Sequence, residues 1–393
     1  MDDTYTRILC SIDEEYSQDA FKILQWLAYS ARPLRVEEVA EVVAIDFDHL
    51  RFDAENRLPD PRDVLTICSS LVTIAASTAE IDGVSCEIEE LRLAHFSVKE
   101  YLISNCVRTG SGFQYNIREC AEDRLAQGCL IYLLQFQGST LLSPNNIDDF
   151  PLARYTAEHW TRHTRAARDG ADQIDQLSIQ LFQSKGDAYI NWIRLFDPDM
   201  PWRGADLTKS ISDVACPLYY ASLEGLVKPA AHLLEKDADA NAQGGAYDNA
   251  LQAASARGHE AIATLLLEKG ANVNAQGRYY SSALQVASAE GHEAIATLLL
   301  KKGANVNAQG GDYGSALQAA SAEGHKAIVT LLLEKGANVN TQGGDYGSAL
   351  QAASAGGHEA ITTLLLEKGA NVNRIAFRAT SVEGHEAIAM ALA

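Results

Sequence analysis

Histidine recurs at a fixed interval in the second half of the sequence, and histidine is a side chain often used to bind metals or transfer protons. The dipeptide Gly-His places a ring in the same register every 33 residues, at His259, His292, His325 and His358. If each segment is one stacked unit, neighbouring rings lie roughly 10 Å apart, about a helix diameter. Zinc needs ligands about 2 Å away, so one histidine per unit cannot complete a metal site. The spacing favours a structural role at the entry to a helix, and we predict no metal.

Other residues that could do chemistry are also unpromising. His159 and His163 lie four residues apart and can share a helix face, but W-T-R between them lacks the glutamate of H-E-x-x-H. No third ligand is suggested, so we interpret them as a surface pair. The seven cysteines form no C-x-x-C pair, which favours reduced thiols over a zinc or redox site. No P-loop string G-x-x-x-x-G-K-[ST] occurs, so we expect neither an enzyme nor a cofactor.

Composition limits the partners. The formal net charge of −20 would repel a polyanion, so nucleic acid is not expected. No stretch approaches the roughly 18 to 20 apolar residues that a membrane span needs, and the acidic start MDDTYTRILC is unlike a secretory signal. We therefore expect a cytoplasmic protein that does not enter a membrane.

The elements that carry the repeated histidines form an internal repeat. The block A-L-Q-x-A-S begins at Ala250, Ala283, Ala316 and Ala349, always 33 residues apart, with a weaker copy at 217–225. Each copy predicts a turn, a short helix, a second helix and a glycine stop. In the third full copy, Ser315 caps a helix through Ser321, and a second helix runs from His325 to Lys335. Such a hairpin cannot bury its apolar stripe alone, so neighbours must stack.

The period of 33 and the string G-H-x-x-x-x-x-x-L-L-x-x-G-A-x-V-N resemble ankyrin repeats over residues 209–393. The resemblance implies a mainly α fold with an α-solenoid of six units, the last of them truncated. Ser315-Ala316-Leu317-Gln318 stands where the family has Thr-Pro-Leu-His, which we expect to remove the stabilisation that Pro and His give this turn. The amino-acid sequence of the repeats also resembles ankyrin arrays in fungal multidomain proteins.

In ankyrin proteins the hairpin tips and the first helices form a concave surface that binds a protein partner. Here the tips carry tyrosines at a spacing of 33, and the positions that vary between copies lie beside them on the tips and helix one. The candidate partner-binding residues are Tyr247, Arg257, Arg278, Tyr279, Tyr280, Glu290, Asp312, Tyr313, Glu323, Asp345 and Tyr346. Tyrosine suits an interface. The invariant rings could equally pack between successive hairpins as scaffold, which leaves the varying positions as the better candidates for specificity.

The first 107 residues predict helices over 5–30, 36–43 and 62–70, followed by a strand pair at 71–75 and 91–98 around an acidic loop at 80–90. This order indicates a winged-helix-like domain over 1–107. The words I-L-Q-W-L-A, I-C-S-S-L-V and L-A-H-F-S-V-K-E-Y-L resemble the winged helix that follows the NACHT ATPase in fungal NLR-like proteins. Helices predicted near 117–137, 151–167 and 187–196 resemble the connector of those proteins, here at 108–208. Since Met1 falls almost where the winged helix starts, we expect a C-terminal piece of such a protein.

His95 lies within that resemblance. Related switch ATPases use a winged-helix histidine to contact a bound nucleotide diphosphate, and the alternative is a hydrogen-bonded histidine at a strand-helix junction, which we favour. The segment after Arg35 contains three glutamates, so this winged helix is not expected to bind DNA.

The sequence thus predicts a protein-protein interaction module, the ligand-sensing or scaffold end of an NLR-like signalling protein that lacks its ATPase. A regulatory subunit that docks in trans on a separate NACHT switch is one alternative. A non-functional gene remnant is the other.

Overall fold

The computed structural model describes residues 2–81, 84–104, 115–118, 120–138, 141–167, 171–184, 187–278 and 280–372. The described residues divide into two compact units, separated between Asp213 and Val214. The first unit contains the winged helix and the connector helices, and the second contains the repeats. The predicted mainly α fold is confirmed.

In the first unit the chain forms the helices α1 (Asp2–Cys10), α2 (Ser17–Tyr29), α3 (Val36–Val43), α4 (Val64–Cys68), α5 (Phe96–Leu102), α6 (Ala121–Leu134), α7 (Ala153–Ala166), α8 (Ala171–Gln183) and α9 (Asp187–Leu195). Its strands are β1 (Leu34–Arg35), β2 (Ile45–Asp46), β3 (Arg51–Phe52), β4 (Val72–Ile81) and β5 (Val84–Leu93). Strands β1, β5 and β4 form one antiparallel sheet in that order, and β2 pairs with β3.

The wing differs from its predicted boundaries. Strands β4 and β5 pair from Val72 with Leu93 to Ile81 with Val84, so most of the stretch predicted as an acidic loop is strand. One of its glutamates, Glu90, accepts hydrogen bonds from the side chains of Ser77 and Arg92, which the sequence pattern does not reveal. Strand β5 ends at Leu93, and the segment predicted to continue it turns instead into helix α5.

The connector helices pack around aromatic rings. The predicted helices near 117–137, 151–167 and 187–196 correspond to α6, α7 and α9. Helix α8 was not predicted, although its buried Ile174, Leu177 and Leu181 follow helical spacing. The Trp192 ring packs edge-on against both Trp160 and Phe182, with centroids 5.2 and 5.6 Å apart. The division of this unit at residue 107 stays a prediction.

In the second unit each repeat contributes a seven-residue and a nine-residue helix. The pairs are α10 (Pro217–Leu223) with α11 (Val227–Glu235), α12 (Ala250–Ala256) with α13 (Glu260–Glu268), α14 (Ala283–Ala289) with α15 (Glu293–Lys301), α16 (Ala316–Ala322) with α17 (Lys326–Glu334), and α18 (Ala349–Ala355) with α19 (Glu359–Glu367). Short strands β6 (Gln309–Gly310) and β7 (Gly314–Ser315) pair at one hairpin tip. The predicted truncated sixth unit lies mostly outside the described residues.

Polar side chains bond each repeat to its neighbour. Ser315 caps α16 as predicted, since its side chain accepts the Gln318 backbone N–H. Contrary to expectation, replacing the family's histidine does not leave the turn unsupported. Gln318 donates from its amide to the Gly343 carbonyl at the next hairpin tip, 2.6 Å away. On the opposite loops, Asn307 donates to the Gly336 carbonyl at 3.1 Å, and equivalent asparagines recur in the other repeats.

The repeated histidines have the structural role predicted for them. Each is the N-terminal cap residue of a second helix. The Nε2 atom of each ring donates a hydrogen bond to the backbone carbonyl of the residue 36 positions earlier, at 2.9–3.1 Å. His325, for example, bonds the Ala289 carbonyl of the preceding repeat. Its ring also fills the space beside Gly291, whose φ of +80° lies in the left-handed region. The histidine row therefore holds successive hairpins together.

Candidate protein-binding surface

The tip tyrosines form one continuous stack, which we call the tyrosine ladder: Tyr247, Tyr280, Tyr313 and Tyr346. Adjacent ring centroids lie 6.0–6.1 Å apart and adjacent ring planes are inclined by 20–25°. Repeats of equal length place the same tyrosine at the same point of each hairpin, so a repeat in the sequence becomes a row in space. Offset stacking of this kind is a favourable arrangement for aromatic rings.

The structure shows the scaffold role that the sequence offered for these rings, and the recognition role stays a prediction. The rings contact each other between hairpins, which is the scaffold role. They are nevertheless not core residues, because three of them are half-buried and Tyr346 is 39% exposed. The ladder is thus stacked between hairpins and partly exposed to solvent.

The residues that vary between repeats on the first helix lie at its C-terminal cap rather than along its face. Arg257, Glu290, Glu323 and Gly356 are the cap residues of α12, α14, α16 and α18, and all four are exposed. The structure brings this row to the ladder, since the Tyr313 hydroxyl donates to Glu323 Oε1 at 2.8 Å. Burial, followed by this bond and the carboxylate charge, raises the pKa of Tyr313, while burial and then Glu290 raise the pKa of Tyr280.

The varying positions on the tips have different environments. Arg278 bonds Asp248 through both its backbone N–H and Nε, at 2.7 and 3.0 Å, so it ties two tips together although its side chain is 77% exposed. Asp312 and Asp345 are exposed, and the backbone N–H of Asp345 donates to the Asp312 carbonyl. Tyr279 lies outside the described residues.

Charge along this row changes sign. Arg257 and Arg278 lie toward its beginning, and the later positions carry carboxylates. Within the described ranges, Glu290, Glu323, Asp312 and Asp345 form no ion pair. We call the tyrosine ladder together with Arg257, Arg278, Glu290, Asp312, Glu323 and Asp345 the ladder surface.

His95 occupies the strand-helix junction proposed as its structural alternative. It is the N-cap of α5, where its Nδ1 accepts the Ser97 backbone N–H at 3.2 Å. Its exposed ring lies 4.3 Å from that of Phe96, which is 69% exposed. Phe96 is thus an exposed apolar side chain at the start of α5.

His159 and His163 are not the surface pair that was predicted. His163 is buried, with its ring nitrogens bonded to the Tyr155 hydroxyl at 2.9 Å and to Glu122 at 2.7 Å. The His159 ring is 13% exposed, and burial is the main cause that lowers its pKa to about 4. The spacing of four residues does place both on one helix face, but that face packs inward. Among the described residues no cluster of three or more His, Cys, Asp or Glu side chains could hold a metal.

Helix α3 holds all three glutamates that argued against DNA binding; Glu38 and Glu41 are buried, and Glu37 is exposed. Glu38 accepts bonds from both guanidinium nitrogens of Arg32, at 2.6 and 2.8 Å. Glu41 accepts from Tyr132 and pairs with Arg57. These charges are therefore satisfied inside the first unit.

A cavity that the sequence did not predict lies beside this helix. It has a volume of about 570 Å³, and its lining includes Lys22, Phe47 and Arg124. Lys22 donates to the Val43 carbonyl, and the Arg124 guanidinium lies 4.8 Å from the centroid of the Phe47 ring.

None of the helices within the described ranges has the length and apolar character needed to cross a bilayer.

Comparison with known proteins agrees with both units. A family of ankyrin repeats (3 copies) matches residues 218–310 and 310–376, and the winged helix domain of GPI inositol-deacylase matches residues 6–115. The chain is 38% identical over 274 residues to the azaphilone pigments biosynthesis cluster protein L of Monascus ruber. That alignment covers 66% of this chain and 57% of the relative, so the chain spans little more than half the relative's length. The chain therefore carries ankyrin repeats and a winged helix of this type, and ankyrin repeats suggest protein-protein interaction.

Proposed function

We propose that the chain acts by binding a partner protein on the ladder surface, and that it has no catalytic role of its own. The observation that carries this proposal is the tyrosine ladder, which runs in register with exposed residues that differ from repeat to repeat. A row that is constant in its rings and variable beside them can supply contact area and specificity separately.

The packing of the ladder supports this function on energetic grounds. Binding costs free energy when side chains at the interface must be ordered, at about 0.5–1.5 kcal/mol for each flexible side chain. Stacked tyrosines are already held by their neighbours, and Tyr313 is further fixed by its bond to Glu323. The free energy needed to order these tyrosine side chains is therefore spent during folding and not during binding.

In its finer form, the proposal is that the repeats are the sensing or scaffold end of an NLR-like cytoplasmic signalling protein, with the nucleotide-binding ATPase on another segment or chain. The order of a winged helix, connector helices and ankyrin repeats supports this assignment. The resemblance of L-A-H-F-S-V-K-E-Y-L in α5 and its approach to the NACHT-associated winged helix supports it as well.

The binding proposal is tested with the full chain and a display library of random linear peptides. Selected peptides are measured against the variant D312A/E323A and the control variant E268A/E334A, whose side chains lie at the ends of the second helices α13 and α17. We expect a loss of about tenfold or more on the first variant and little change on the second. Equal binding to both variants would remove the ladder surface from consideration.

A second candidate function is docking of the winged helix on a separate NACHT-type ATPase. It is favoured by one observation, the exposure of Phe96 beside His95 at the start of α5. Association with a purified ATPase of this type should then depend on whether ADP or ATP is present and should be lost in F96S. If F96S associates as well as the parent chain, this candidate fails.

A further inference from the structure

We propose that the partner segment held by the ladder surface is an extended, basic peptide with Arg or Lys at alternate positions. This inference rests on the proposed function and specifies the chemistry of the partner. Its occupant follows from the charges on the surface and from the spacing of the rings.

The charges of the ladder surface favour a basic peptide. Glu290, Asp312, Glu323 and Asp345 are exposed and form no ion pair within the described part of the chain. The Tyr313 hydroxyl donates to Oε1 of Glu323. Like charges held along one rigid row repel each other, so a cationic partner is favoured and an anionic one is opposed.

The basic residues at the beginning of the row set the position of the peptide. Arg278 is committed to Asp248, and Arg257 takes the place that Glu290 and Glu323 occupy in the following repeats. A basic segment is therefore favoured over the three later rings, from Tyr280 to Tyr346. Guanidinium groups match these acceptors because they donate several hydrogen bonds in fixed directions.

The spacing of the rings favours an extended conformation of the peptide. Adjacent ring centroids are 6.0–6.1 Å apart. Two residues of a β-strand advance about 6.4–6.8 Å and place alternate side chains on the same side. One basic side chain therefore falls beside each repeat, and the difference of under about 1 Å per step lies within the reach of long Arg and Lys side chains. An α-helix advances about 6.0 Å over four residues, but each such step turns the side chain by about 40° around the helix axis, so side chains at this spacing leave the row over three rings.

The test uses the full chain and fluorescein-labelled peptides measured by fluorescence anisotropy. One peptide alternates serine with four arginines, a second groups the same four arginines together, and a third carries glutamate in place of arginine. The chain is compared with the variant E290Q/D312N/E323Q. The control is E268Q/E334Q/E367Q, which removes the same number of charges from the ends of α13, α17 and α19.

We expect the alternating arginine peptide to bind best and the glutamate peptide not to bind. The ladder variant should weaken binding by about tenfold, as expected for the loss of three exposed charge contacts, and the control variant should change it by less than about twofold. If both variants lose binding equally, the attraction is only that of net charge and the inference is overturned. It is also overturned if the grouped and alternating peptides bind alike.

The display selection described above separates the two proposals. If selected peptides lose affinity for D312A/E323A but contain no alternating basic residues, the protein-binding function stands and the basic specificity is wrong. If no selected peptide responds to that variant, both proposals fail together.

Discussion

Replacing Gly291 by alanine tests how the repeats are joined. Gly291 has φ +80°, and a Cβ atom there would lie 2.6 Å from Cε1 of His325, whose ring is anchored to the Ala289 carbonyl. The left-handed backbone costs a non-glycine residue about 1–2 kcal/mol. Forcing the ring aside adds about 1–3 kcal/mol, which gives a loss of about 2–5 kcal/mol in the free energy of unfolding.

The chain contains a matched control for the backbone contribution. Gly303 has φ +90°, but nothing lies within 4 Å of a Cβ atom added there. G303A should therefore lose only about 1–2 kcal/mol. H325A should lose about 1–3 kcal/mol, because the Ala289 carbonyl is left without its partner.

The double variant G291A/H325A isolates the contact between ring and methyl group. Removing the ring removes the clash. The double variant should therefore lose about 1–3 kcal/mol less free energy of unfolding than the two single variants lose together. The assay is urea unfolding followed by circular dichroism, with slopes compared so that midpoints report stability. Equal losses in G291A and G303A, together with additivity in the double variant, would refute the reasoning.

Three further predictions concern titration and ion pairing. His159 has a pKa of about 4 in the folded chain and about 6.5 when unfolded. Between these pH values the unfolded state binds more protons, so the stability of the fold decreases as the pH drops from 6.5 to 4. H159Q should therefore show a smaller difference between its urea midpoints at pH 7 and pH 5 than the parent chain. The raised pKa of Tyr313 should fall in E323Q, as measured by NMR titration of labelled tyrosine rings, and an unchanged value would contradict the bond. E38Q should lower stability by about 1–3 kcal/mol, because Arg32 loses a charged partner, whereas an unaffected melting temperature would show that the pair contributes little.

The repeats could be predicted closely because their determinants are local and recur. Ser315 caps its helix and Gly324 separates the two helices, as the sequence indicated. The role of Gln318 could not be predicted in the same way, because its partner carbonyl belongs to Gly343, 25 residues later. Whether glutamine in place of the family's histidine leaves the turn without a hydrogen bond therefore depends on tertiary structure.

The first unit shows the limits of local pattern more clearly. The glutamates of β5 indicate a loop until the cross-strand partner Ser77 and the neighbouring Arg92 are known. His163 and Glu122 lie on different helices, so local sequence could not predict that the histidine is buried and paired. For the ladder surface, the sequence indicated the residues, whereas the stacking of the rings and the bond from Tyr313 to Glu323 required the structure.

Partner binding on the ladder surface is tested by hydrogen-deuterium exchange of the full chain with and without a bound display-selected peptide. We expect slower exchange at the hairpin tips and at the ends of the first helices, near Tyr280, Glu290, Tyr313 and Glu323. Exchange in the second helices, such as α15 and α17, should change little. Protection confined to those second helices, or to the winged helix, would contradict the account.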